Sequence, residues 1–211
     1  MNEALCSILT GEDEWYYHAD GRHIKFNKDG TGELSCRCNF NIWILAELEW
    51  KSIKPPHGPS QIVEFPGQVS NNTWNKGPQL LGQLDLEITL LKQLSKRAKG
   101  TIVEKNTLVN EGSLTDDAFR TRQFTVRFEK GNFLEPVCTD PNLDWRYELR
   151  LLFDKSPYPP RSQWKEPEQG PDSCQFWDMI EFVSRHVPGL EKQGKAMNIA
   201  STGVLSGCSV S

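Results

Sequence analysis

Long apolar runs are missing from this chain. None approaches the roughly 18 residues that a membrane-spanning helix needs. The opening MNEALCSILTGEDE has no basic stretch, and its short apolar segment soon meets Glu12, Asp13 and Glu14. A secretory leader is therefore not expected. An excess of positive charge is also missing: 24 Lys and Arg stand against 28 Asp and Glu, a net −4 with the signs mixed along the sequence. Without a basic patch to track phosphates, nucleic acid is not an expected partner. Gly-x-Ser-x-Gly, the phosphate-binding loop and the dinucleotide fingerprint are all absent. This disfavours an NTP- or nicotinamide-dependent enzyme, and no cofactor is expected. The six cysteines show no second pair at zinc spacing. In a chain without a leader they read as free thiols of a cytoplasmic protein. Cys36-Arg37-Cys38 puts two thiols on one strand face, where they are expected to fill core rather than act as a redox pair. Asn71-Asn72-Thr73 matches a glycosylation sequon, which in a cytoplasmic chain is a chance match.

What the chain has in plenty is aromatic residues, 10 Phe, 7 Trp and 4 Tyr, and period-two alternation. Leu34, Cys36, Cys38, Phe40, Ile42, Ile44, Ala46, Leu48 and Trp50 fall on one parity, with mostly polar residues on the other. This predicts two strands, or one long strand bent near Asn39–Asn41. Trp43 and Leu45 break the pattern, so the outer face is covered or carries a contact there. The same alternation returns at Leu84–Leu90, Phe124–Phe128 and Trp145–Phe153, with short strands at Trp15–Tyr17 and Ile24–Phe26. Asp20-Gly21 and Asp29-Gly30-Thr31-Gly32 suit hairpin turns, because glycine reaches positive φ without steric cost. One greasy and one wet face per strand marks antiparallel sheet. The fold class expected is mainly β: an antiparallel barrel or strongly bent sheet as a single domain over 1–187, followed by a flexible tail over 188–211.

One helix is expected over 172–187, packed outside the sheet. Asp172 would cap it with Gln175 three residues on, Phe176, Met179, Ile180, Val183 and Val187 form its stripe, and Pro188-Gly189 ends it. Long connections at 54–82, 95–120 and 155–171 are candidates for functional lids or for variable surface loop, with surface loop favoured for 95–120.

If the strands pair as read, Trp15, Tyr17, Phe26, Phe40, Trp50, Phe124, Phe128, Trp145 and Tyr147 point inward together with Phe153. A closed sheet of about eight strands holds either side chains alone or one small ligand. Ring walls would suit an apolar or aromatic molecule.

A short leading helix, the early Trp15, a run of hairpins and one helix after the last strand together resemble the lipocalin-like (calycin) barrels, over roughly residues 10–187. The stretches Asp20-Gly21-Arg22-His23-Ile24-Lys25-Phe26 and Asp29-Gly30-Thr31-Gly32-Glu33-Leu34 look like small lipocalin-like proteins of fungal type. The family's Gly-x-Trp is absent, since Gly11 stands four residues before Trp15. The resemblance implies that Trp15 closes one end of a barrel. It also implies ligand carriage or, in some members, pericyclic or isomerising chemistry done by cavity shape. It carries over no catalytic residue.

The expected function is binding of a small hydrophobic or aromatic molecule in the barrel cavity. The rival is an isomerase or cyclase working without a cofactor in the same cavity, for which Tyr17, Tyr147 and His18 are the candidate polar groups. A third reading is a protein-interaction module using an outward Trp43 and Leu45 patch. His18, Asp20 and His23 have the types of metal ligands, but they read as turn residues and no metal is expected. The terminal Cys208-Ser209-Val210-Ser211 fits a prenylation box, so a membrane is a partner only if Cys208 carries a lipid.

Overall fold

The structure is a computed structural model, and it describes residues 2–38, 41–53, 77–105, 108–138, 140 and 145–187. Its architecture is a closed antiparallel barrel in which every strand pairs with its neighbour in sequence and the last closes on the first. The strands are β1 Trp15–His18, β2 Arg22–Phe26, β3 Thr31–Cys38, β4 Asn41–Ile53, β5 Gln79–Leu94, β6 Arg122–Phe133, β7 Tyr147–Phe153 and β8 Glu181–His186. Helix α1, Asn2–Gly11, precedes them, and a one-turn helix α2, Pro171–Cys174, comes just before β8. No described helix is long and apolar enough to cross a membrane.

The turns form where glycine chemistry allows them. Gly21 and Gly30 take φ 98° and 83° at the β1–β2 and β2–β3 connections. In the second turn the Asp29 carboxylate accepts from the Thr31 backbone N–H at 3.0 Å and from its hydroxyl at 2.6 Å. Registers such as Ile24 opposite Leu34 and Leu34 opposite Ala46 place the apolar parity of each strand on one surface. That surface is the core. Ile24, Leu34, Leu48, Phe128 and Phe153 are all at most 1% exposed, and each such side chain contributes about 1.5–3 kcal/mol through burial.

A ten-residue helix is marginal by itself. Helix α1 persists because Leu5 and Leu9 bury into this core. Leu5 lies against Gly82, where an added Cβ would come within 2.9 Å of Leu5 Cδ1. Trp15 is fully buried, and its indole N–H donates to the Leu9 carbonyl at 3.0 Å, which ties helix to barrel.

The C-terminal helix is shorter than its apolar spacing suggests. Gln175 turns left-handed (φ 48°, ψ 49°) and ends α2 after one turn. Asp172 does not cap it; Gly170 holds the N-cap position, and the Asp172 carboxylate pairs with Arg161 at 2.6 Å. Residues 181–186, expected to continue the helix, form β8 instead. Phe182 faces Leu151 and Ser184 faces Leu149 across the ladder, so the segment supplies the strand that closes the ring. A barrel lacking it would leave two unpaired edges, and that tertiary demand overrides the helical spacing.

Two long connections cover the barrel. The described residues of the 95–121 stretch include four 3-10 turns and bury Ala98, Val109, Asn110, Leu114 and Ala118, so they pack more tightly than a surface loop. The 155–178 strap buries Tyr158, Trp164 and Phe176, with Trp164 stacked on Phe176 at 5.6 Å and 23°. The two stretches meet through a bridge between Leu114 and Trp164. Gly170 of the strap presses on Trp43, where a Cβ would fall 2.7 Å from the ring. Trp43 is partly buried and packed against the core, and Leu45 is partly buried too, so neither side chain of the outward patch read from them stands fully in solvent.

Candidate functional site

The inward rings are gathered largely as the alternation requires. Trp15 meets Phe128 edge to face at 6.2 Å, Phe26 meets Trp50 at 5.6 Å, and Phe124 meets Phe153 at 5.8 Å. Trp15, Phe26, Phe124 and Phe128 are buried in one core cluster, with Tyr17 and Trp50 partly buried against it. These rings touch one another, and edge-to-face pairs of this kind add about 0.5–1.5 kcal/mol beyond burial. Phe40 lies outside the described residues, as do Cys208 and the 188–211 tail.

Trp145 and Tyr147 do not join that interior. Trp145 precedes β7 and is 56% exposed. Tyr147 belongs to a second cluster with Phe133 and Val183, with Tyr16 against it. Two irregularities lie beside it: the β6–β7 register shifts between Lys130 and Phe133, and Arg185 takes φ 60° in the neighbouring strand. Val183 is opposite Tyr16 and Arg150, which alternate with the inward Trp15, Tyr17, Leu149 and Leu151, so this cluster lies on the outer face.

Here a cleft of about 230 Å³ is lined by Leu134, Glu135, Cys138, Trp145 and Tyr147. The His186 ring backs it, 5.8 Å from Trp145 and 4.5 Å from Tyr147. The Tyr147 hydroxyl donates to Glu135 Oε1 at 2.9 Å, and the Ala19 backbone N–H donates to the same oxygen at 3.2 Å. Burial, and then the Glu135 carboxylate, push the Tyr147 phenol well above its ordinary value, so it stays a neutral donor. Chemically, the cleft offers an aromatic wall, one carboxylate and the free thiol of Cys138, whose Sγ lies 3.6 Å from the Asp140 carbonyl oxygen.

A polar group occupies the adjoining outer face. His23, on the outward parity of β2, has Nε2 2.9 Å from Glu33 Oε1 and 3.7 Å from Glu14 Oε1. Ser95 donates to Glu33, and Arg97 pairs with Glu14 and lies 3.7 Å from Glu33. Burial alone would raise both carboxyls. His23, Arg97 and the hydrogen bonds outweigh it and hold Glu33 and Glu14 below their ordinary values. Tyr16 links the two features. Its ring lies 6.1 Å from His23 and 6.5 Å from Tyr147. Burial and its hydrogen bond to Glu14 push its phenol up to about 12.

Glu14, His23 and Glu33 offer donor atoms within 4.8 Å of one another, a set able to ligate a divalent cation. Arg97 already holds the same two carboxylates, so the group reads as a buried ion network fixing the 3-10 turn Lys96–Ala98 to the barrel. The residues His18 and Asp20, considered with His23 from sequence, make a separate local contact: the Asp20 N–H donates to His18 Nδ1 at 3.0 Å. Tyr17 packs on Phe182 at 6.3 Å. The three polar candidates Tyr17, Tyr147 and His18 therefore have different neighbours and do not converge on one point.

Glu135, Glu14, Glu33, Ser95 and Arg97 were not legible as site residues. Outward parity on paired strands is a signal for Glu33 and His23. Glu135, Ser95 and Arg97 come from connections with no periodicity to place them. No family model, no curated protein and no solved structure matches the chain, so a functional reading rests on this geometry.

Proposed function

We propose that the protein binds a small, mainly apolar aromatic molecule, and that the molecule lodges in the cleft between Trp145, Tyr147 and Glu135. The carrying observation is an indole 56% exposed on the wall of a concave site with a carboxylate at its side. A tryptophan so placed gives up burial that a core position would provide; a ligand ring restores it. At about 230 Å³ the cleft is smaller than the roughly 300–1,000 Å³ of drug-sized pockets, so it suits a single ring system. Both protein bonds to Glu135 fall on Oε1, and a cationic or N–H group of the ligand would take Oε2. A cation held there would also face the ring of Trp145, the best of the aromatic partners for cation–π attraction. The free thiols suit a reducing compartment, and the cytoplasm is the setting we propose.

The alternative of a cofactor-independent isomerase or cyclase finds less support, because Tyr17, Tyr147 and His18 do not meet around one cavity. The test is ligand-observed saturation-transfer NMR with indole and with tyramine. Both are expected to receive magnetisation from the protein, tyramine more strongly. Trp145→Ala should abolish both signals, and Glu135→Gln should remove only the advantage of tyramine. Absence of transfer to either probe, or transfer undiminished in Trp145→Ala, overturns the proposal.

A further inference from the structure

Cys38 is the last residue of β3, and Cys174 is the last residue of α2, 136 positions later in the chain. Their sulfurs lie 2.7 Å apart, with the Cys174 thiol directed at Cys38 Sγ. A disulfide is about 2.05 Å long, so a bond between these atoms needs only a small side-chain adjustment. Neither cysteine is deeply enclosed: both are partly buried, whereas nearby Cys36 is wholly buried. Cys36 is thereby shielded from oxidants, and the pairing is selective for Cys38 and Cys174.

The position of the pair gives the bond a mechanical meaning. Cys174 belongs to the strap over residues 155–178, and that strap is held on the barrel by non-covalent contacts. The Tyr158 hydroxyl donates to the Ser35 carbonyl at 2.7 Å. Arg122 donates to the carbonyls of Pro157 and Tyr158, at 2.5 and 3.2 Å. Ser156 donates to the Phe176 carbonyl at 2.9 Å, a bond internal to the strap. These hydrogen bonds to the barrel attach the strap's leading half; its far half is held by packing, Gly170 against Trp43 and Phe176 in the core, and the cysteine pair lies at that end.

We propose that Cys38 and Cys174 form a reversible oxidation site, closed by a hydroperoxide, that clamps the far end of the strap to the barrel. One thiol ionises and its thiolate attacks the peroxide oxygen; the O–O bond breaks, sulfenic acid forms, and the departing hydroxide takes up the proton released by the thiol as water. The second thiolate then attacks the sulfenic sulfur and displaces hydroxide, which takes up a proton as water. Overall two thiols and one hydrogen peroxide give one disulfide and two waters, with the two thiols losing two electrons. A dithiol reductant reverses the step by thiol–disulfide exchange. Burial, followed by the Cys174 thiol, raises the Cys38 pKa, so the reaction is expected to be slow at neutral pH and faster in mild alkali. The assignment stands independently of what the Trp145 cleft binds.

The test starts from fully reduced full-length protein treated with hydrogen peroxide. Intact mass should fall by two hydrogens, and digestion without reductant should yield a linked peptide pair carrying Cys38 and Cys174. The melting temperature should rise on the order of 5–10 °C, as expected for closing a long loop. Hydrogen exchange over 155–178 should slow, and dithiothreitol should reverse all three changes. Cys174→Ser should eliminate the linked peptide and the thermal shift while folding normally. Linkage distributed among other cysteines, or oxidation of Cys38 and Cys174 to separate sulfinic acids with no link, overturns the proposal.

Discussion

Asn110 stands in for a strand partner of Leu45. Its amide oxygen accepts the Leu45 N–H at 2.9 Å, and its amide nitrogen donates to the Leu45 carbonyl at 3.2 Å. The β4–β5 ladder reaches Ala46 opposite Leu94 and then β5 ends; the Leu45 carbonyl still accepts the Ser95 N–H at 2.9 Å, while the Leu45 N–H is met by Asn110. Asn110 is 1% exposed and takes φ 54°, a left-handed conformation that asparagine tolerates better than most residues. Replacing it by alanine orphans the Leu45 N–H and adds backbone strain. Asn110→Ala is expected to cost about 2–4 kcal/mol. A urea midpoint within error of the wild type would show that the 95–121 connection does not depend on this residue.

Gly32 allows β3 to approach β2 closely. A Cβ there would collide with the Lys25 carbonyl oxygen and come 2.7 Å from Leu48 Cδ1. The backbone oxygen cannot move without disturbing the β2–β3 ladder, so Gly32→Ala is expected to destabilise by about 2 kcal/mol or more. Calorimetric melting of the variant checks this, and an unchanged transition would mean that the hairpin adapts at little cost.

Acid should unfold the barrel partly through the Glu14–His23–Glu33 group. Both carboxyls are held below the ordinary value of about 4.3. The unfolded chain therefore binds those protons more readily than the folded one. The stability they contribute is fully present above the unfolded value and is lost as pH falls through the lowered folded values. Urea midpoints should hold steady from about pH 7 to 5 and drop below about 4.5. Glu33→Gln should be less stable at pH 7 and show a flatter decline. An equal decline in variant and wild type would assign the acid sensitivity to other carboxylates.

Tyr158 anchors the strap by one hydroxyl. Tyr158→Phe keeps the ring against Phe176 and Phe182 and removes only the bond to the Ser35 carbonyl. The expected cost is about 1–2 kcal/mol, with faster hydrogen exchange concentrated over 155–178. Exchange rising evenly across all strands would instead show that strap and barrel open as one unit.

The barrel was legible because seven of its strands carry alternation that matches a single buried face, as in Leu84, Leu86, Ile88 and Leu90. The eighth was not, because Phe176, Met179, Ile180 and Val183 suit a helical stripe equally well, and the left-handed turn at Gln175 has no glycine to announce it. Parity placed Trp15, Phe26, Phe124 and Phe128 correctly, yet it misplaced Trp145, which lies off the strand, and Tyr147, which follows a register shift. The pairing of Cys38 with Cys174 and of Glu14 and Glu33 with Arg97 joins distant segments. Contacts of that kind depend on how the connections fold back over the strands, and local periodicity carries no record of it.

Ring closure through Tyr16 opposite Val183 joins the first strand to the last, while every other ladder links consecutive strands. During synthesis on the ribosome, the early hairpins can assemble as soon as they emerge. The ring itself stays open until residue 186 has cleared the exit tunnel. Until then β1 and β7 present unpaired edges to the crowded cell, so the interval in which this molecule is vulnerable runs from the emergence of β7 to that of β8.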